Sequence, residues 1–541
     1  MKNVPGERLQ QSGRALLERG SWAALVATLL AAVALRFVGL DHLPGLNGDE
    51  AFFPVHAAEW RAGVPWSELR TGTDLPMNPL FFGSVAVLQG LLPTSFWSVR
   101  LAAVLHSLLA VAFAFAAFLN RGRGFAALFA LLLAVLPIQL GYARLAWDPS
   151  AVTGVLVLAL AAATRGRFLL AGAAFALSLW VHPAAVFAGP VLLAALLAAR
   201  WPRTHAGALR RPSRRQLAVP AVLAVLGAAV GYGLFARGAL PPPVRAALSA
   251  SALERVRERA SDGSGALQFA KLYGDFLAGP TIYRYVTGSM PQGAATLHLG
   301  LAALLLLAVV LPGLWFLPAA HRSVDRALAF GLLLSLGVAY LFGGLPVLTP
   351  HTERYGIFLV APTCYVIAAC LDAFTGTAAR AAVVRGAAAV LGALLLLSFH
   401  RYFLRALQHA DPERHNAFRT GAIEPKQKAF EAILASRAAG RLTLIRAEDW
   451  WIYWPVRYLA GPHSGLHVTI AGARWDYRFP QDFEEPALDP ANMEAFGVAW
   501  AGSAVDADFA AHAQSSIDVA GYEPGPILRV YRLPIGESPQ Q

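Results

Sequence analysis

Long apolar runs separated by short polar segments fill the first three quarters of the chain. Most of these runs are roughly 18 to 25 residues long, which is enough for a helix to cross a bilayer. The pattern predicts a mainly α-helical membrane bundle of about eleven spans, while the shorter run 80–92 predicts an interfacial or re-entrant helix. The predicted spans are residues 21–40, 97–118, 124–142, 149–163, 168–181, 184–199, 217–236, 297–318, 327–347, 355–374 and 387–404.

The pattern changes after residue 404, where charged residues become frequent and apolar runs shrink to five or six residues. Helical and strand-like periods alternate there, which predicts a small C-terminal α/β domain. The predicted organisation is an N-terminal tail over 1–20, a membrane domain over 21–404 and the α/β domain over 405–541. The helix-like segment is 424–437, and the strand-like segments are 441–447, 466–471, 496–500 and 527–533.

The composition agrees with a membrane protein, because 56% of the 541 residues are hydrophobic and only 14% are charged. Soluble domains have about a quarter of their residues charged. The net charge of +12 raises the alternative of nucleic-acid binding. Many of the basic residues, however, lie in short segments between apolar runs, which is a pattern of membrane topology. No nucleic-acid partner is therefore predicted.

The basic residues also predict the orientation of the spans. Six short segments hold eighteen Lys and Arg residues against three Asp and Glu residues. In the alternate short segments the only Lys or Arg residues are Arg144 and Arg354. By the positive-inside rule the first set, which includes the N-terminus, is cytoplasmic. The protein is predicted to lie in the plasma (inner) membrane. The C-terminal domain then lies outside. The basic segments are 1–20, 119–124, 164–167, 200–216, 319–326 and 375–386, and the alternate ones are 143–148, 182–183 and 348–354.

Two outer loops follow from this orientation, at residues 41–96 and 237–296. Between Leu267 and Leu277 of the second loop, apolar and charged residues alternate with a roughly helical period. This amphipathic pattern predicts a helix that lies on the membrane surface.

Asp49 and Glu50 stand in the sequence GLNGDEAFF, just beyond the first span. Charged groups near lipid are costly, so those that are present need a reason. Adjacent residues point in different directions, so only one of the two is expected to face a shared pocket while the other braces it. The structural alternative is that Asp49 caps a helix beginning near Ala51 and Glu50 favours its dipole.

Arginines and a third acid mark other outer positions. Arg144 and Asp148 in GYARLAWDPS are four residues apart and share a face if the segment is helical. Asp148 before a proline is also a good helix cap. Arg36 and Arg100 lie at span ends, where snorkelling to the lipid headgroups is the default interpretation.

Histidine and charged residues also lie at two proline breaks. His182 precedes a proline between two apolar runs, where most histidines merely satisfy freed backbone groups. The sequence LTPHTERYGIF places His351, Glu353, Arg354 and Tyr355 at the start of a span. A threonine cap followed by proline explains how that helix begins. This cap does not explain why an Arg-Tyr pair, Arg354 and Tyr355, stands where the span enters the bilayer.

Several of these stretches, taken in order, resemble the GT-C class of polyprenyl-phosphate-sugar glycosyltransferases. They are the early GDE, the arginine of FWSVRLAAVL, YARLAWDPSAV, HPAAVFAGPVLLAAL and ERYGIFLVAP, and they cover about residues 20 to 375. Bacterial protein O-mannosyltransferase-like and aminoarabinose-transferase-like enzymes are the most similar members. The resemblance implies a helical membrane body, a catalytic acid in the first outer loop and a cavity that takes a lipid-phosphate sugar.

Carried over by position, the resemblance makes Asp49 the catalytic carboxylate and Glu50 its neighbour. It places Arg144, Asp148 and Arg354 around the donor phosphate and sugar. Many relatives have a lysine near the position of His182, and a histidine there would make phosphate binding sensitive to pH. The other substrate-binding candidates are Arg100, His351, Glu353 and Tyr355.

The chemistry is coherent without the resemblance. A polyprenyl phosphate leaves as a stable anion, so it needs cations around it, which Arg144, Arg354 and His182 can supply. The attacking hydroxyl needs a base on the opposite face of the sugar, and Asp49 in that role inverts the anomeric carbon. The predicted partners are a lipid-linked sugar donor, a lipid, glycan or protein acceptor, and the membrane. A divalent metal is an open alternative, with Asp49, Asp148 and Glu353 as candidate ligands.

Two other functions fit parts of the pattern. A transporter or lipid flippase also carries charged residues in the membrane, but it normally places them at the midplane of several spans and has related halves. Here the charges cluster near one surface and no halves match. A glycan polymerase or ligase of the same helical class differs from a single-sugar transferase only in what it moves.

Overall fold

Helices make up most of the molecule, in agreement with the predicted bundle. The computed structural model describes residues 5–71, 77–93, 95–200, 250–288, 290–304, 309–317, 321–350, 352–408, 425–461, 463, 465–471, 492–520 and 525–535. The predicted span 217–236 and the candidate His351 lie outside the described residues. The helices before residue 201 are α1 (Pro5–Phe37), α2 (Gly48–Arg61), α3 (Pro79–Leu91), α4 (Phe96–Ala117), α5 (Arg123–Val135), α6 (Pro137–Tyr142), α7 (Pro149–Thr164), α8 (Phe168–Val181) and α9 (Gly189–Arg200).

The second half of the helical body continues in shorter and less regular pieces. Its helices are α10 (Ala250–Ser261), α11 (Gly263–Ala278), α12 (Pro280–Thr287), α13 (Gln292–Leu304), α14 (Leu311–Phe316), α15 (Arg322–Val338), α16 (Val360–Ala373) and α17 (Ala378–Phe399). Wider or tighter turns extend four of the helices. The 3₁₀ segments Pro183–Ala188 and Glu353–Leu359 precede α9 and α16, and the π-helical segments Ala339–Gly343 and His400–Arg405 follow α15 and α17.

Within the described residues, six helical stretches are long and apolar enough to cross a membrane, so the chain is an integral membrane protein. Four shorter apolar helices, α3, α5, α7 and α8, accompany them. The predicted span 124–142 is interrupted at Leu136, whose extended backbone precedes Pro137 and separates α5 from α6. The six stretches are Ala15–Phe37, Phe96–Arg121, Pro183–Arg200, Arg322–Gly343, Glu353–Ala373 and Ala378–Arg405.

Ion pairs join the basic segments to one another. Arg121 donates two hydrogen bonds to the Asp325 carboxylate, at 2.5 and 2.8 Å, and a further one to the Tyr365 hydroxyl. Arg385, near the start of α17, contacts the exposed Glu18 of the N-terminal segment 1–20, 3.9 Å away. Segments that the charge pattern predicts to share one side of the membrane therefore meet in the structure.

The helix predicted on the membrane surface exists as α11, but it is not a surface helix throughout. Leu267 is exposed, whereas Phe276 and Leu277 are buried. Asp275 is also buried and accepts a hydrogen bond from Arg284 of the following helix at 3.4 Å. The carboxylate can face inward because an arginine partner replaces water there.

The described C-terminal residues form a five-stranded mixed sheet, which confirms the predicted α/β composition. β1 lies between β2 and β3 and is parallel to both, and β5 is antiparallel to β3 and β4. The elements are helix α18 (Pro425–Ser436), β1 (Leu442–Ala447), α19 (Trp450–Ala460), β2 (Leu466–Ile470), β3 (Met493–Trp500), α20 (Ala504–His512), β4 (Ser515–Ala520) and β5 (Pro526–Leu533). The edge strand β4 and helix α20 were not predicted, because β4 is mostly exposed and lacks an apolar run.

Helix α19 of this C-terminal part packs directly on α2, the helix that carries the GDE motif. Phe52 of α2 stacks on the Trp450 ring, with centroids 5.5 Å apart. A Cβ at position 48 would lie 2.7 Å from Trp450 Cδ1 and 2.8 Å from its carbonyl oxygen. The two helices can therefore approach this closely only because residue 48 is a glycine.

Candidate active site

The first turn of α2 sets the directions of the two neighbouring acids. Asn47 caps this helix: its side-chain oxygen accepts the Asp49 N–H at 2.9 Å, and the Glu50 carboxylate accepts the Asn47 N–H at 3.4 Å. The alternative in which Asp49 caps a helix starting near Ala51 is therefore wrong. Because both acids lie in the first turn, the partial positive charge of the helix N-terminus stabilises them.

Glu50 points into the protein and is fully buried. Its carboxylate accepts hydrogen bonds from Arg100 Nε at 2.6 Å and Arg100 Nη2 at 2.9 Å, and from the Ala146 N–H at 3.1 Å. The other donors of Arg100 bind the carbonyl oxygens of Leu40 and Gly45. Glu50 thus joins α2 to α4 and to the turn before α7, which makes it a brace for this loop.

Asp49 points away from that brace and is partly open to solvent, with 27% of its side chain exposed. Its Oδ2 accepts a hydrogen bond from Arg354 Nη1 at 3.2 Å, and its Oδ1 accepts one from the Trp450 indole N–H at 2.9 Å. Residues more than 300 positions apart therefore converge on this one carboxylate. The structure brings together Asp49 and Arg354, two of the residues that the sequence singles out.

Arg354 lies between aromatic rings with a free edge toward solvent. Its guanidinium carbon is 5.3 Å from the Trp147 ring centroid and 5.4 Å from that of Tyr355, distances at which a cation is attracted to the ring face. A quarter of the side chain is exposed. Within the described part of the chain, Asp49 is its one hydrogen-bond partner, so most of its five donors are available to an anion.

Glu353 is buried beneath this arginine. Its Oε1 accepts a hydrogen bond from the Tyr142 hydroxyl at 3.3 Å, which ties the segment before α16 to the end of α6. Tyr142 in turn packs edge-on against Trp147, with ring centroids 5.9 Å apart. Glu353 therefore helps to orient the backbone that presents Arg354, and it does not face the open side.

Three arginines that the sequence places at the membrane boundary, Arg36, Arg100 and Arg144, are fully buried. Their burial corrects the expectation that Arg36 and Arg100 snorkel and the expectation that Arg100 and Arg144 bind substrate. Arg144 donates to the carbonyl oxygens of Leu35 and Leu43, each at 2.8 Å. Arg36 and Arg100 likewise bind backbone carbonyls and do not snorkel. The acceptors lie in the last turns of α1 and α5 and in the turn after α1. Carbonyl oxygens at helix ends and in turns need partners, which these guanidinium groups provide. The geometry leaves neither Arg100 nor Arg144 in a position to contact a substrate phosphate.

Asp148 precedes α7 but does not cap it, because its side chain makes no hydrogen bond to the first turn. Its burial raises the pKa of this carboxyl to about 7, with the nearby Arg354 charge acting in the opposite direction and Asp49 adding to the rise. The group consequently titrates near neutral pH beside the Asp49–Arg354 pair. Arg144 does not share a helical face with it, since residues 143–148 form turns.

His182 binds a freed backbone group, which is the structural alternative that the sequence offers for it. Its Nδ1 accepts the Ala184 N–H at 3.2 Å, just after Pro183, and its ring centroid lies 5.6 Å from that of Tyr355. Burial, together with the neighbouring Arg354, lowers the pKa of the imidazole to about 3. The ring is neutral at physiological pH, so the expectation of a pH-sensitive cation for phosphate at this position is wrong.

The acids do not form a metal-binding group in the described ranges. No cluster of three or more His, Cys, Asp or Glu side chains is placed there to hold a metal ion. Of the candidate ligands, Asp49 is held by Arg354 and Trp450, and Glu353 by Tyr142. An arginine occupies the position at which a cation would balance Asp49.

The sequence interpretation missed the tryptophan of the C-terminal part. Trp450 belongs to the stretch DWWIYWPVRYLAG, whose density of aromatic residues was visible, but no pattern connects it with residue 49. Trp147 lies inside the motif YARLAWDPS, between Arg144 and Asp148. Aromatic residues beside charged motifs were the available signal.

Two solved structures share this architecture. ArnT from Cupriavidus metallidurans in the apo state has a TM-score of 0.54 and 15% identity, with 95% of this chain and 98% of that chain covered. This chain has the ArnT fold. The same ArnT bound to undecaprenyl phosphate has a TM-score of 0.53 and 16% identity, with 95% and 99% covered. The predicted GT-C type of fold is thus confirmed, and the similarity to ArnT includes both the helical body and the C-terminal sheet.

No protein-family model and no curated protein matches the chain.

The Glu50–Arg100 pair generates a stability prediction. Arg100→Ala leaves the Glu50 carboxylate buried without its cation, which we expect to cost about 3–5 kcal/mol of stability. The double variant Glu50→Gln, Arg100→Met removes both charges and keeps an acceptor for the Ala146 N–H, so it is expected to lose much less. Thermal melting of the detergent-solubilised protein measures both. Equal losses in the single and double variants would contradict the assignment of this pair as a brace.

Proposed function

We propose that this protein is a membrane glycosyltransferase that moves a sugar from a polyprenyl-phosphate-linked donor to a hydroxyl acceptor. The observation that carries the proposal is the partly exposed Asp49–Arg354 pair, which offers a base and an anion-binding cation 3.2 Å apart. The ArnT fold of the chain supports it, since one ArnT structure is bound to undecaprenyl phosphate.

The proposed reaction needs one base and one cation. Asp49 takes the proton of the acceptor hydroxyl, whose oxygen forms a bond to the anomeric carbon of the sugar. The bond between that carbon and the phosphate oxygen breaks, and its electron pair leaves with the polyprenyl phosphate. Arg354 stabilises the negative charge of this leaving group. Because attack and departure occur on opposite faces, the anomeric configuration inverts.

The position of the pair suits a lipid-linked donor. The aromatic rings of Trp147 and Tyr355 flank Arg354 at the start of a candidate membrane span. Tryptophan and tyrosine favour the interface between lipid and water. A phosphate headgroup at this depth reaches Arg354 while its polyprenyl tail stays in the lipid, and the acceptor approaches Asp49 from the aqueous side.

We place this site on the outer face of the inner membrane. The N-terminal tail and the other basic segments are then cytoplasmic, and the C-terminal domain, which contacts Asp49 through Trp450, is periplasmic. The ion pairs Arg121–Asp325 and Arg385–Glu18 support this division, because each joins two segments that the charge pattern predicts to be cytoplasmic.

Asp49→Asn tests the base. The variant keeps the shape of the side chain but cannot take a proton, so we expect sugar transfer to fall by about a hundredfold or more. Asp41→Asn, an exposed acid in the same loop, serves as the control with normal transfer. The readout is transfer from a radiolabelled polyprenyl-phosphate sugar, together with mass spectrometry of envelope lipids in cells. Near-normal transfer by Asp49→Asn, at normal membrane levels of the protein, would remove the catalytic assignment.

Arg354→Ala tests the phosphate contact. Hydrogen bonds to charged groups contribute about 1.5–3 kcal/mol each, so the donor KM is expected to rise by about tenfold to a hundredfold. The acceptor KM should change little. Arg61→Ala is the matched control, because Arg61 lies at the far end of α2 and bonds the Gln89 carbonyl. A parallel rise of both KM values in Arg354→Ala would argue against the phosphate role.

Asp148 predicts a pH dependence of donor binding. Its pKa is raised to about 7 by burial, so the group is neutral at lower pH and gains a negative charge as the pH rises through this value. That charge repels the donor, a phosphodiester whose own charge is constant in this range. We therefore expect the donor KM to increase between about pH 6 and pH 8 and to stay flat in Asp148→Asn. A rise that persists in the variant would assign the titration to another group.

A further inference from the structure

The C-terminal domain places one hydrogen-bond donor on the proposed base. The Trp450 indole N–H lies 2.9 Å from Asp49 Oδ1, while Arg354 occupies the other oxygen, Oδ2. Two donors on different oxygens fix the orientation of a carboxylate, because a rotation of the group would lengthen or misalign both hydrogen bonds. Asp49 therefore receives its orientation from two separate parts of the fold.

Trp450 is held in place by a ring stacked on it and by contacts at both ends of its helix. Phe52 stacks on it from α2, at an interplanar angle of 26°. At the start of α19, Asp449 accepts the Ile452 N–H at 3.0 Å and the Trp500 indole N–H at 2.9 Å, which anchors the helix to the sheet. Toward its end, Arg457 forms an ion pair with Glu59 of α2.

The two hydrogen-bond donors on Asp49, Arg354 and Trp450, differ in charge and in their other partners during the proposed reaction. Arg354 carries charge and is the group proposed to bind the donor phosphate, so it has a competing partner during the reaction. The indole N–H of Trp450 is neutral and has no affinity for a proton. When Arg354 turns to the phosphate, Trp450 keeps the carboxylate aimed without neutralising its charge.

We propose that Trp450, supplied by the C-terminal domain, is a positioning residue that holds Asp49 in its reactive orientation. The inference rests on the proposed function, since it gives Trp450 a role only if Asp49 is the base. It assigns the domain a direct part in the reaction at the membrane surface, through one hydrogen bond and the close packing of α19 on α2.

The test compares two tryptophans of the same helix in the full-length protein. Trp450→Phe keeps an aromatic ring against Phe52 and removes the N–H to Asp49. Trp454→Phe makes the same chemical change at a residue that also packs on Phe52, 4.8 Å between ring centroids. The indole nitrogen of Trp454 has no hydrogen-bond partner among the residues that the structure describes. Any general effect of the substitution on packing is therefore shared by both variants.

We expect kcat to fall by about tenfold to a hundredfold in Trp450→Phe, the loss that corresponds to one hydrogen bond to a charged group. The donor KM should stay near its normal value, because Arg354 is intact. The acidic limb of the pH profile of kcat should move to higher pH, since the lost N–H stabilises only the ionised carboxylate. Trp454→Phe should show neither change. Loss of structure alone does not move the pH profile.

A second variant reaches the same contact from the other helix. Gly48→Ala puts a methyl group where Trp450 lies and should reproduce the drop in kcat, whereas Gly83→Ala on α3 meets no atom within 4 Å and should not. If Trp450→Phe and Trp454→Phe have equal kcat values and unshifted profiles while Asp49→Asn is inactive, the role of Trp450 is refuted and the proposed function stands. If Asp49→Asn is active, both fail.

Discussion

The Glu50–Arg100 pair is the interaction on which the site depends. It lies in the dry interior and binds three parts of the fold at once: the first turn of α2, the start of α4 and the turn before α7. A buried pair of this kind does not need to add net stability, but it allows only one arrangement of its partners. Because Asp49 immediately precedes Glu50 in the same helical turn, its direction follows from the direction of Glu50. The acid that faces solvent is placed by the acid that does not.

Much of the fold follows from the periodicity and charge of the sequence. The apolar runs give most of the helices, and the alternation after residue 404 gives four of the five strands. Asp49 and Arg354 could be singled out because charges at a membrane boundary need a reason. The interrupted span at Leu136 was also open to prediction from Pro137. Helix ends inside long apolar runs were not, since apolar residues continue across them.

The roles of individual arginines could not be predicted in the same way. Arg36, Arg100, Arg144 and Arg354 look alike at their span ends, yet the first three bind backbone carbonyls and only Arg354 faces an open side. The difference depends on which carbonyl oxygens the neighbouring helices leave without partners, and that is a property of packing. Trp450 illustrates the same limit, because a contact across 401 residues leaves no local pattern.

The salt bridge of Arg121 with Asp325 makes one end of the helical body stiff. It links the turn after α4 to α15, and the Tyr365 hydroxyl of α16 also accepts a hydrogen bond from Arg121. Opening there would separate two buried charges, whereas at the other end the ion pair of Asp49 is already wetted by solvent. Slow collective motion of the helices is therefore expected to be hinge-like, with its amplitude growing toward the end that holds Asp49 and Arg354.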